Sequence, residues 1–313
     1  MNKTDFQTIY APKLEEICPS RVRFDEPLAA HTTFKIGGPA FAWVEPADAQ
    51  QLSDVCKLCR DAGLPFAILG GGSNMLCETR GFDGVVIHLA HDAFNEVSLE
   101  ILEDGQHGLV AGAACTLRAV VESSLQAGYV NLGFLGGIPG TLGGAVAMNA
   151  GSRTEWISRV VHRIEAVSLE TFEVVVLNAD DIEWGYRTSS LRDTFIITRV
   201  WISPLIAGDA EKTRADMKFA FERRKNTQPL AFPNAGSIFK NPEGASSGAL
   251  IESLGLKGFS IGGAQVSEQH ANFIVNTGGA TSDDVRSLIA MIQEKVYETY
   301  GLRLTTEIRF LSE

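Results

Sequence analysis

The sequence has 313 residues, which is too long for one ordinary hydrophobic core and predicts two or three domains. Hydrophobic residues make up 45% and charged residues 21%, which is the balance of a soluble globular protein. The sequence has no stretch of 18 or more apolar residues, so we expect no transmembrane helix. The net charge of -11 argues against a broad nucleic-acid interface, because such an interface needs a clustered basic surface.

The N-terminal residues lack the apolar run of a secretory signal and include early acidic side chains, so we expect a cytoplasmic protein. The cysteines are an odd and scattered set, which is not typical of a disulfide framework: Cys18, Cys56, Cys59, Cys77 and Cys115. Cys56 and Cys59 share the apolar face of a predicted helix, so core packing is favoured over a metal or redox pair. His88, His91 and His107 are not spaced with acidic residues as a metal site requires, and no metal is expected.

Helix and strand patterns alternate in the first 90 residues. The first twenty or so residues predict a short helix or arm. Asp48 to Ala62 predicts a helix, because its apolar residues share one face and Gly63 follows where a C-terminal cap is needed. The apolar runs at 65–69 and 85–89 predict short strands.

Strands dominate from about Glu96 to Pro204, with one helix predicted near Leu117–Ala127 between Thr116 and Gly128. The segments with the β-branched content of a sheet are 160–169, 173–178 and 195–202. A helix with a basic C-terminal end follows at about 210–226.

The C-terminal region combines a loop rich in glycine and proline, a short helix from Gly248, a strand around 272–276 and a long helix from Asp283 to about Tyr300. Thr281 and Asp284 form a capping-box pattern before the long helix. The apolar stripe of that helix is Val285, Leu288, Ile289, Ile292 and Val296.

The segment 302–311 alternates between apolar and polar residues, which predicts a final strand. The apolar face carries Leu302, Leu304, Ile308 and Phe310, and the polar face carries Arg303, Thr305, Glu307 and Arg309.

A first glycine loop, Gly70-Gly71-Gly72-Ser73-Asn74, directly follows a predicted strand. Its glycines let the backbone turn tightly and bring several N–H groups to one point, which suits a pyrophosphate, and Ser73 and Asn74 can add donors. The spacing is neither the dinucleotide-binding G-x-G-x-x-G fingerprint nor a P-loop. A plain glycine turn between strands is an equally good interpretation of this loop alone.

A second glycine loop runs from Gly133 to Gly151 and is unusually dense in glycine. A structural loop seldom needs so many glycines, because their loss of chain entropy on folding is costly. Close approach to an extended ligand explains the pattern better.

Several motifs together resemble the UDP-N-acetylenolpyruvoylglucosamine reductase family: the two glycine loops, Gly185-Tyr186-Arg187, residues 234–242 and residues 256–276. The resemblance runs from about His31 to Arg309, with the motifs in the family's order. The sequence is similar to the shorter subtype, which lacks an extra tyrosine-bearing loop in the last domain. It departs from that subtype at Ser152-Arg153-Thr154, where Ala-Tyr-Gly is usual, and this affects the expected shape of the substrate entrance.

The resemblance implies an α+β fold, in which a vanillyl-alcohol-oxidase/PCMH-type FAD-binding fold of two lobes precedes a C-terminal α+β substrate-binding domain. The implied division is an N-terminal arm or helix at 1–22, FAD-binding lobe 1 at 23–90, FAD-binding lobe 2 at 91–206, the substrate-binding domain at 207–301 and a C-terminal strand carrying Glu307 at 302–313. The boundary before the last domain falls near 204–212.

FAD is the implied cofactor and NADPH the implied co-substrate. The first glycine loop would hold the FAD pyrophosphate, and the second would lie along the flavin. Because no histidine sits in or beside the first glycine loop in the sequence, we expect non-covalent FAD. The residues expected to contact FAD are Gly70, Gly71, Gly72, Ser73, Asn74, Gly137, Ile138, Pro139, Gly140, Thr141, Gly143, Gly144 and Ala147.

The implied reaction reduces UDP-N-acetylglucosamine enolpyruvate to UDP-N-acetylmuramate for peptidoglycan synthesis. A hydride passes from NADPH to the flavin and then to C3 of the enolpyruvyl group, C2 receives a proton, and negative charge builds at the carboxylate in between.

Arg187 is expected to bind that carboxylate through paired hydrogen bonds, although a surface arginine at a strand end is the alternative. Ser237 is expected to deliver the proton, and its alternative is a turn serine that caps its own backbone. Glu307 is expected to orient or polarise the double bond, and its alternative is a solvated glutamate beside Arg303 or Arg309.

Lys240 and Asn241 are expected to contact the UDP-sugar, with further contacts from Tyr186, Gln265, His270 and Arg223. His270 can instead satisfy a local hydrogen bond, and a basic helix end at Arg223 complements the helix dipole without any ligand. The expected partner is a small-molecule nucleotide sugar, with no nucleic acid and no membrane span, and the protein is expected to be a monomer.

Two other functions are compatible with parts of the pattern. A different flavin oxidoreductase of this fold, acting on a sugar alcohol or a hydroxy acid, would need a base that removes a proton rather than an acid that supplies one. A non-catalytic protein that binds a nucleotide sugar or flavin is the other alternative. The presence of Arg187, Ser237 and Glu307 together favours the reductase.

Overall fold

A computed structural model describes residues 3–103, 105–152 and 154–311. The α-helices are α1 (Lys3–Ile9), α2 (Ala11–Ile17), α3 (Ala49–Ala62), α4 (Leu117–Gln126), α5 (Leu142–Ala147), α6 (Ala210–Thr227), α7 (Ser247–Ser253) and α8 (Ser282–Tyr300). The β-strands are β1 (Val22–Pro27), β2 (Pro39–Val44), β3 (Phe66–Ile68), β4 (Met75–Cys77), β5 (Phe82–Ile87), β6 (Val97–Ile101), β7 (His107–Gly112), β8 (Val161–Ser168), β9 (Val174–Asn178), β10 (Trp184–Gly185), β11 (Thr188–Ser189), β12 (Phe195–Ile202), β13 (Ser260–Ile261), β14 (Ala264–Val266), β15 (Ile274–Asn276) and β16 (Arg309–Leu311). Helices and sheets are mixed along the chain, as the sequence predicts. In the described residues, no helix has the length and apolar content needed to cross a membrane.

The chain divides into two compact units. The first unit contains the described residues up to Phe24, together with Ala42–Gly71 and Gly84–Phe221. The second unit contains Asp25–Phe41, Gly72–Asp83 and the described residues from Glu222 onward. The division into five segments that the sequence implies stays a prediction.

A five-stranded antiparallel sheet forms much of the first unit, with the strand order β6-β7-β12-β8-β9. The strands β8, β9 and β12 lie within the three β-branched segments that predicted a sheet. β-Branched side chains fit the pleated surface of a sheet, which is why these segments were recognisable from the sequence. The helix α5 packs against β12, and α3 packs against β8.

The helix α3 begins and ends where the sequence predicts. The Asp48 side chain accepts a hydrogen bond from the backbone N–H of Gln51 at 2.8 Å, and Gly63 ends the helix in the left-handed conformation with φ of 62°. Cys56 and Cys59 are fully buried on its apolar face, and burial raises the pKa of the Cys59 thiol to about 12. Their predicted role in core packing is confirmed.

A four-stranded sheet has the strand order β1-β2-β5-β3, and β3 and β5 are parallel neighbours. The strand β3 lies within the predicted strand at 65–69, and β5 overlaps the predicted strand at 85–89. The chain leaves the carboxyl end of β3 and enters the first glycine loop.

The helix α8 is the centre of the core in the second unit. Its predicted apolar stripe is buried along its whole length, in Val285, Leu288, Ile289, Ile292 and Val296. The Thr281 hydroxyl accepts from the Asp284 N–H at 3.1 Å, and the Asp284 carboxylate accepts from the Thr281 N–H at 2.9 Å, so the predicted capping box is confirmed. A three-stranded sheet of order β13-β14-β15 belongs to the same unit.

The predicted continuous strand over 302–311 is wrong in its extent. The strand β16 covers Arg309–Leu311 and pairs in parallel with β4, so Glu307 lies in the irregular segment before it. Thr306 instead forms an isolated antiparallel bridge with Phe239. The segment therefore pairs with two different partners in succession, and the alternating sequence pattern does not distinguish this from one ladder.

Candidate active site

The predicted site residues divide between the two compact units. The first unit holds Gly70, Gly71, the second glycine loop and Arg187. The second unit holds Gly72, Ser73 and Asn74 together with the segments of Ser237 and Glu307. Each group is held by hydrogen bonds and close packing within its own unit.

The first glycine loop presents consecutive backbone N–H groups. Among the described residues, none accepts a hydrogen bond from the N–H groups of Gly70, Gly71 or Gly72. Gly72 is buried with φ of 60°, and a Cβ at this position would lie 2.1 Å from the backbone oxygen of His31. Only glycine fits there without a shift of the backbone. A turn of unbonded N–H groups is an arrangement that suits the oxygens of a pyrophosphate.

The two glycine loops contact each other within the first unit. A Cβ at Gly70 would lie 2.7 Å from the Thr141 hydroxyl oxygen, and a Cβ at Gly71 would lie 3.2 Å from the Gly140 Cα. Two segments about seventy residues apart in the sequence are therefore in close contact, with Gly70 against the Thr141 side chain and Gly71 against the Gly140 backbone. Both loops were predicted separately as FAD-binding elements.

The second glycine loop continues into α5, which Thr141 caps by accepting from the Gly144 N–H at 3.4 Å. The residues predicted to line the flavin are exposed or half-buried, so a ligand can reach each of them: Gly137, Ile138, Pro139, Gly140, Thr141, Gly143, Gly144 and Ala147. Internal packing also favours glycine in this loop. A Cβ at Gly143 would lie 2.9 Å from the Ala113 Cβ, and a Cβ at Gly151 would lie 2.1 Å from the Glu155 oxygen. The glycine pattern alone does not reveal this internal packing.

Arg187 occupies the tight turn between β10 and β11, with φ of 56°. It is half-buried, and its Nη1 donates a hydrogen bond to the backbone oxygen of Gly151 at 3.0 Å. Its guanidinium carbon lies 5.6 Å from the centre of the Tyr186 ring, and Tyr186 itself is 46% exposed. The arginine is thereby held against the end of the second glycine loop, in contrast to a solvated arginine at a strand end.

Asn149 is a residue of this region whose role the sequence reasoning missed. It is buried with φ of 42°, and its Nδ2 donates to the backbone oxygen of Gly185 at 3.0 Å. Its Oδ1 accepts from the Ser158 N–H at 3.3 Å. Asn149 thus joins the second glycine loop to the turn that carries Arg187. The only sequence signal was its place within the second glycine loop.

Ser237 follows a turn that fixes its backbone but leaves its hydroxyl available. Gly236 has φ of 78°, and its N–H donates to the Asn234 side-chain oxygen at 2.9 Å. On the other side, the Ile238 N–H donates to the Asn272 oxygen at 2.9 Å. Ser237 is half-buried, and within the described ranges its hydroxyl has no hydrogen-bond partner. The alternative of a serine that caps its own turn is therefore not observed.

The structure brings the segments of Ser237, Glu307 and Asn74 together in the second unit. The Glu307 N–H donates to the Ile238 oxygen at 2.7 Å, next to Ser237. The Asn74 Nδ2 donates to the Glu307 backbone oxygen at 3.1 Å, and the Arg309 backbone N–H donates to the Asn74 backbone oxygen at 2.9 Å. Asn74 was predicted only as an FAD contact, yet its amide connects the first glycine loop to Glu307.

Lys240 and Asn241 belong to the same network of segments. The Lys240 N–H donates to the Thr305 oxygen at 2.9 Å, two residues before Glu307. The Asn241 side-chain oxygen accepts from the Ser247 N–H at 3.0 Å at the start of α7. One acceptor of Asn241 thus has a structural use, while its amide N–H groups remain suited to a ligand.

The remaining predicted substrate residues have local partners. The Gln265 Nε2 donates to the Gly258 oxygen at 3.2 Å, and the His270 Nδ1 accepts from the Asn272 N–H at 3.2 Å. Burial lowers the pKa of His270, because desolvation disfavours the charged imidazole. Arg223 is exposed on α6.

Ser152 closes a small turn at the position where the sequence departs from the resemblance. Its hydroxyl accepts from the N–H groups of Thr154 and Glu155 at 3.2 Å and 3.1 Å. Arg153 lies outside the described residues. The local turn is therefore stabilised by the serine side chain, in the manner typical of serine at turns.

Comparison with protein families divides the chain in two. Residues 40–177 match the FAD binding domain family, and residues 228–311 match the family described as UDP-N-acetylenolpyruvoylglucosamine reductase, C-terminal domain. The two matches do not overlap, and the FAD binding domain match comes first along the chain.

Relatives with the same name cover nearly the whole chain. The UDP-N-acetylenolpyruvoylglucosamine reductase of Heliobacterium modesticaldum is 42% identical over 92% of this chain and 90% of its own length. That of Myxococcus xanthus is 40% identical over 100% of this chain and 99% of its own length. The crystal structure of the Thermus caldophilus reductase matches with a TM-score of 0.78 at 32% identity, and the match covers 93% of this chain and 99% of that chain.

Proposed function

The chain belongs to the UDP-N-acetylenolpyruvoylglucosamine reductase family, and we propose that it reduces UDP-N-acetylglucosamine enolpyruvate to UDP-N-acetylmuramate for peptidoglycan synthesis, with FAD as cofactor and NADPH as electron donor. The single structural observation that carries this proposal is the juxtaposition in the second unit. The unbonded hydroxyl of Ser237, the segment of Glu307 and the end of the first glycine loop are linked there by backbone hydrogen bonds.

The residues present fit FAD. The unbonded N–H groups of Gly70, Gly71 and Gly72 suit its pyrophosphate, and the accessible residues between Gly137 and Ala147 suit the flavin. Bound FAD would accept a hydride from NADPH and deliver it to C3 of the enolpyruvyl group. We propose that FAD binds non-covalently. His31 lies near Gly72, but its Nε2 already has a partner, the Glu26 carboxylate oxygen at 2.6 Å.

Arg187 is the proposed ligand of the substrate carboxylate. One of its N–H groups is fixed to Gly151, and a guanidinium carries further N–H donors in a planar fork that matches a carboxylate. Charge builds on this carboxylate as C3 becomes bonded to hydrogen, so the paired hydrogen bonds become stronger in the transition state. Tyr186, next to it in the turn, is a proposed contact of the sugar.

Ser237 is the proposed acid that protonates C2. A serine hydroxyl is a weak acid, so it transfers its proton only to a strongly basic centre, and the enolate-like substrate is one. The electron pair at C2 takes the Oγ proton, and the serine oxygen regains a proton from solvent. We propose that Glu307 orients or polarises the double bond, since its backbone is held at both its N–H and its C=O.

The UDP part of the substrate is assigned to the second unit, which includes Arg223 near the end of α6. Lys240 and Asn241 are the main proposed contacts, because their segment is bonded to the segment that carries Glu307. Further proposed contacts are Gln265, His270 and Arg223. We propose that the enzyme acts in the cytoplasm as a monomer, in line with its five free and buried thiols, which suit a reducing compartment.

Anaerobic stopped-flow absorbance of the flavin tests the function. NADPH should bleach the flavin band, and the enolpyruvyl sugar should restore it, which establishes both half-reactions. Ser237→Ala should leave bleaching unchanged and slow recovery by about 10²–10⁴-fold, the usual contribution of a general acid. Ser237→Cys, which keeps a proton donor, should recover faster than Ser237→Ala.

The matched control is Ser123→Ala, which removes the hydroxyl of a half-buried serine on α4. This variant should behave like the unmodified protein in both half-reactions. Bleaching without recovery in the unmodified protein would point to a different electron acceptor. A protein that could not be loaded with FAD would overturn the proposal.

A further inference from the structure

Thr33 connects two segments of the proposed active site in the second unit. Its backbone N–H donates to the Gly72 oxygen at 3.1 Å, in the first glycine loop. Its hydroxyl donates to the backbone oxygen of Asn234 at 2.7 Å, and the backbone N–H of Asn234 donates back to the Thr33 backbone oxygen at 3.2 Å. A single residue is thus bonded to the FAD-binding loop and to the start of the turn that ends at Ser237.

The hydroxyl of Thr33 donates to Asn234 rather than to Gly72. It carries one hydrogen, and the Gly72 oxygen lies 3.3 Å away, farther than the Asn234 oxygen at 2.7 Å. The Gly72 oxygen already accepts from the Thr33 backbone N–H. Loss of the hydroxyl therefore removes one side-chain bond to Asn234 and leaves both backbone bonds of Thr33 in place.

Asn234 transmits this bond to the proposed acid. Its backbone oxygen accepts from the Thr33 hydroxyl, and its side-chain oxygen accepts from the Gly236 N–H at 2.9 Å, so one residue joins Thr33 to the turn immediately before Ser237. The Asn234 Nδ2 also donates to the backbone oxygens of Pro229 and Phe232. That turn lies beside the first glycine loop, since a Cβ at Gly236 would be 3.9 Å from the Ser73 oxygen. A shift of the Asn234 backbone, to which the Thr33 hydroxyl is bonded, would therefore change the distance between the serine hydroxyl and the first glycine loop.

We propose that Thr33 is a positioning residue that aligns the Ser237 turn with the first glycine loop and so sets the geometry of the proton transfer to C2. The inference rests on the proposed function. Proton transfer depends steeply on the distance between donor and acceptor, and small displacements of catalytic groups are costly in rate. Reduction of the flavin by NADPH does not use this proton, so it should not depend on the Thr33 hydroxyl.

The test compares Thr33→Val, which removes the hydroxyl with little change in shape, with Thr33→Ser, which keeps it. In anaerobic stopped flow with FAD-loaded protein, Thr33→Val should recover its flavin band about tenfold more slowly with the enolpyruvyl sugar, while NADPH bleaches it at the unmodified rate. The recovery rate should also show a larger solvent deuterium isotope effect, which a merely structural role would not produce. Thr33→Ser should restore both the rate and the isotope effect.

Thr277→Val is the matched control. Thr277 is exposed, as Thr33 is, and lies in the same unit. Its hydroxyl likewise donates to a backbone oxygen, that of Gly263, at 2.9 Å. It should recover at the unmodified rate.

The inference is wrong if Thr33→Val recovers as fast as the unmodified protein, or if it slows both half-reactions to the same degree. If the unmodified protein itself is not reoxidised by the enolpyruvyl sugar, the proposed function fails, so the two failures are distinguishable. Thr33→Ala, a second variant without the hydroxyl, gives the same comparison if Thr33→Val folds poorly.

Discussion

Replacing Gly72 with alanine should damage both the stability of the protein and its binding of FAD. The residue has φ of 60°, where an alanine costs about 1–2 kcal/mol. The added Cβ would lie 2.1 Å from the His31 oxygen and 2.8 Å from the Thr32 Cα, and neither backbone atom can move aside as a flexible side chain does. Overpacking of this kind costs about a further 1–3 kcal/mol. We expect the free energy of unfolding to fall by about 2–5 kcal/mol in total.

The expected loss of FAD affinity follows from the same contact. If the loop relieves about 1.4 kcal/mol of the clash by moving away from His31, and bound FAD requires the original position, the Kd for FAD rises about tenfold. Urea unfolding followed by circular dichroism gives the first quantity. Titration of the apoprotein with FAD, followed by flavin fluorescence, gives the second.

Gly63→Ala provides a control with the same backbone strain and no clash. Gly63 has φ of 62°, and a Cβ there would have no atom within 4 Å. It should cost only the backbone term of about 1–2 kcal/mol and leave FAD affinity unchanged. Equal stability and equal FAD affinity in the Gly63→Ala and Gly72→Ala proteins would refute the argument that close packing against His31 shapes the loop.

Two further predictions concern hydrogen bonds that the structure reveals. Asn149→Gly tolerates the positive φ but removes the bond to Gly185. Steady-state kinetics should show about a tenfold lower kcat/KM for the enolpyruvyl sugar, equivalent to about 1.4 kcal/mol, while the rate of flavin reduction by NADPH stays unchanged. An unchanged kcat/KM would contradict the assigned role. The Asp284 carboxylate accepts hydrogen bonds from the N–H of Thr281, which has the larger effect, and from the N–H of Gly263, and these bonds lower its pKa in the folded protein. The ionised carboxylate therefore stabilises the folded protein fully above the unfolded pKa of about 3.9, and this stabilisation is lost as the pH falls through the lower folded pKa. Urea unfolding should therefore show the advantage over Asp284→Asn shrinking between pH 5 and about pH 3, and a constant difference would contradict this linkage.

Local signals predicted α3 and α8 well because the determinants lie within a few residues of each other. The helix α5 was missed, because the sequence reading treated the whole of 133–151 as a glycine loop. Asp48 and Gly63 bound α3, and the Thr281–Asp284 capping box begins α8, as the sequence indicated. The final strand was misjudged because its partners are distant in sequence. Alternation reports which residues are buried, whereas the extent of a ladder depends on which segments lie alongside, and no local pattern contains that information.

The proposed site was only partly visible in the sequence. Arg187, Ser237 and Glu307 were identified through motifs, and the structure supplies what the motifs do not, namely the bonds that hold them. Thr33 and Asn149 escaped notice because each acts by donating to a backbone oxygen far along the chain. Any residue type offers such an oxygen, so the partner leaves no compositional trace.

The irregular conformation at Glu307 is itself informative about how the site is built. In a regular edge ladder, the N–H and C=O of one residue would bond to a single neighbouring strand or point to solvent. Here the N–H of Glu307 is bonded to Ile238, beside the proposed acid, while its C=O is bonded to the side chain of Asn74 in the first glycine loop. One residue therefore links the proposed FAD-binding and proton-donating segments. Because the strand begins only at Arg309, both backbone groups of Glu307 are left for these two different partners.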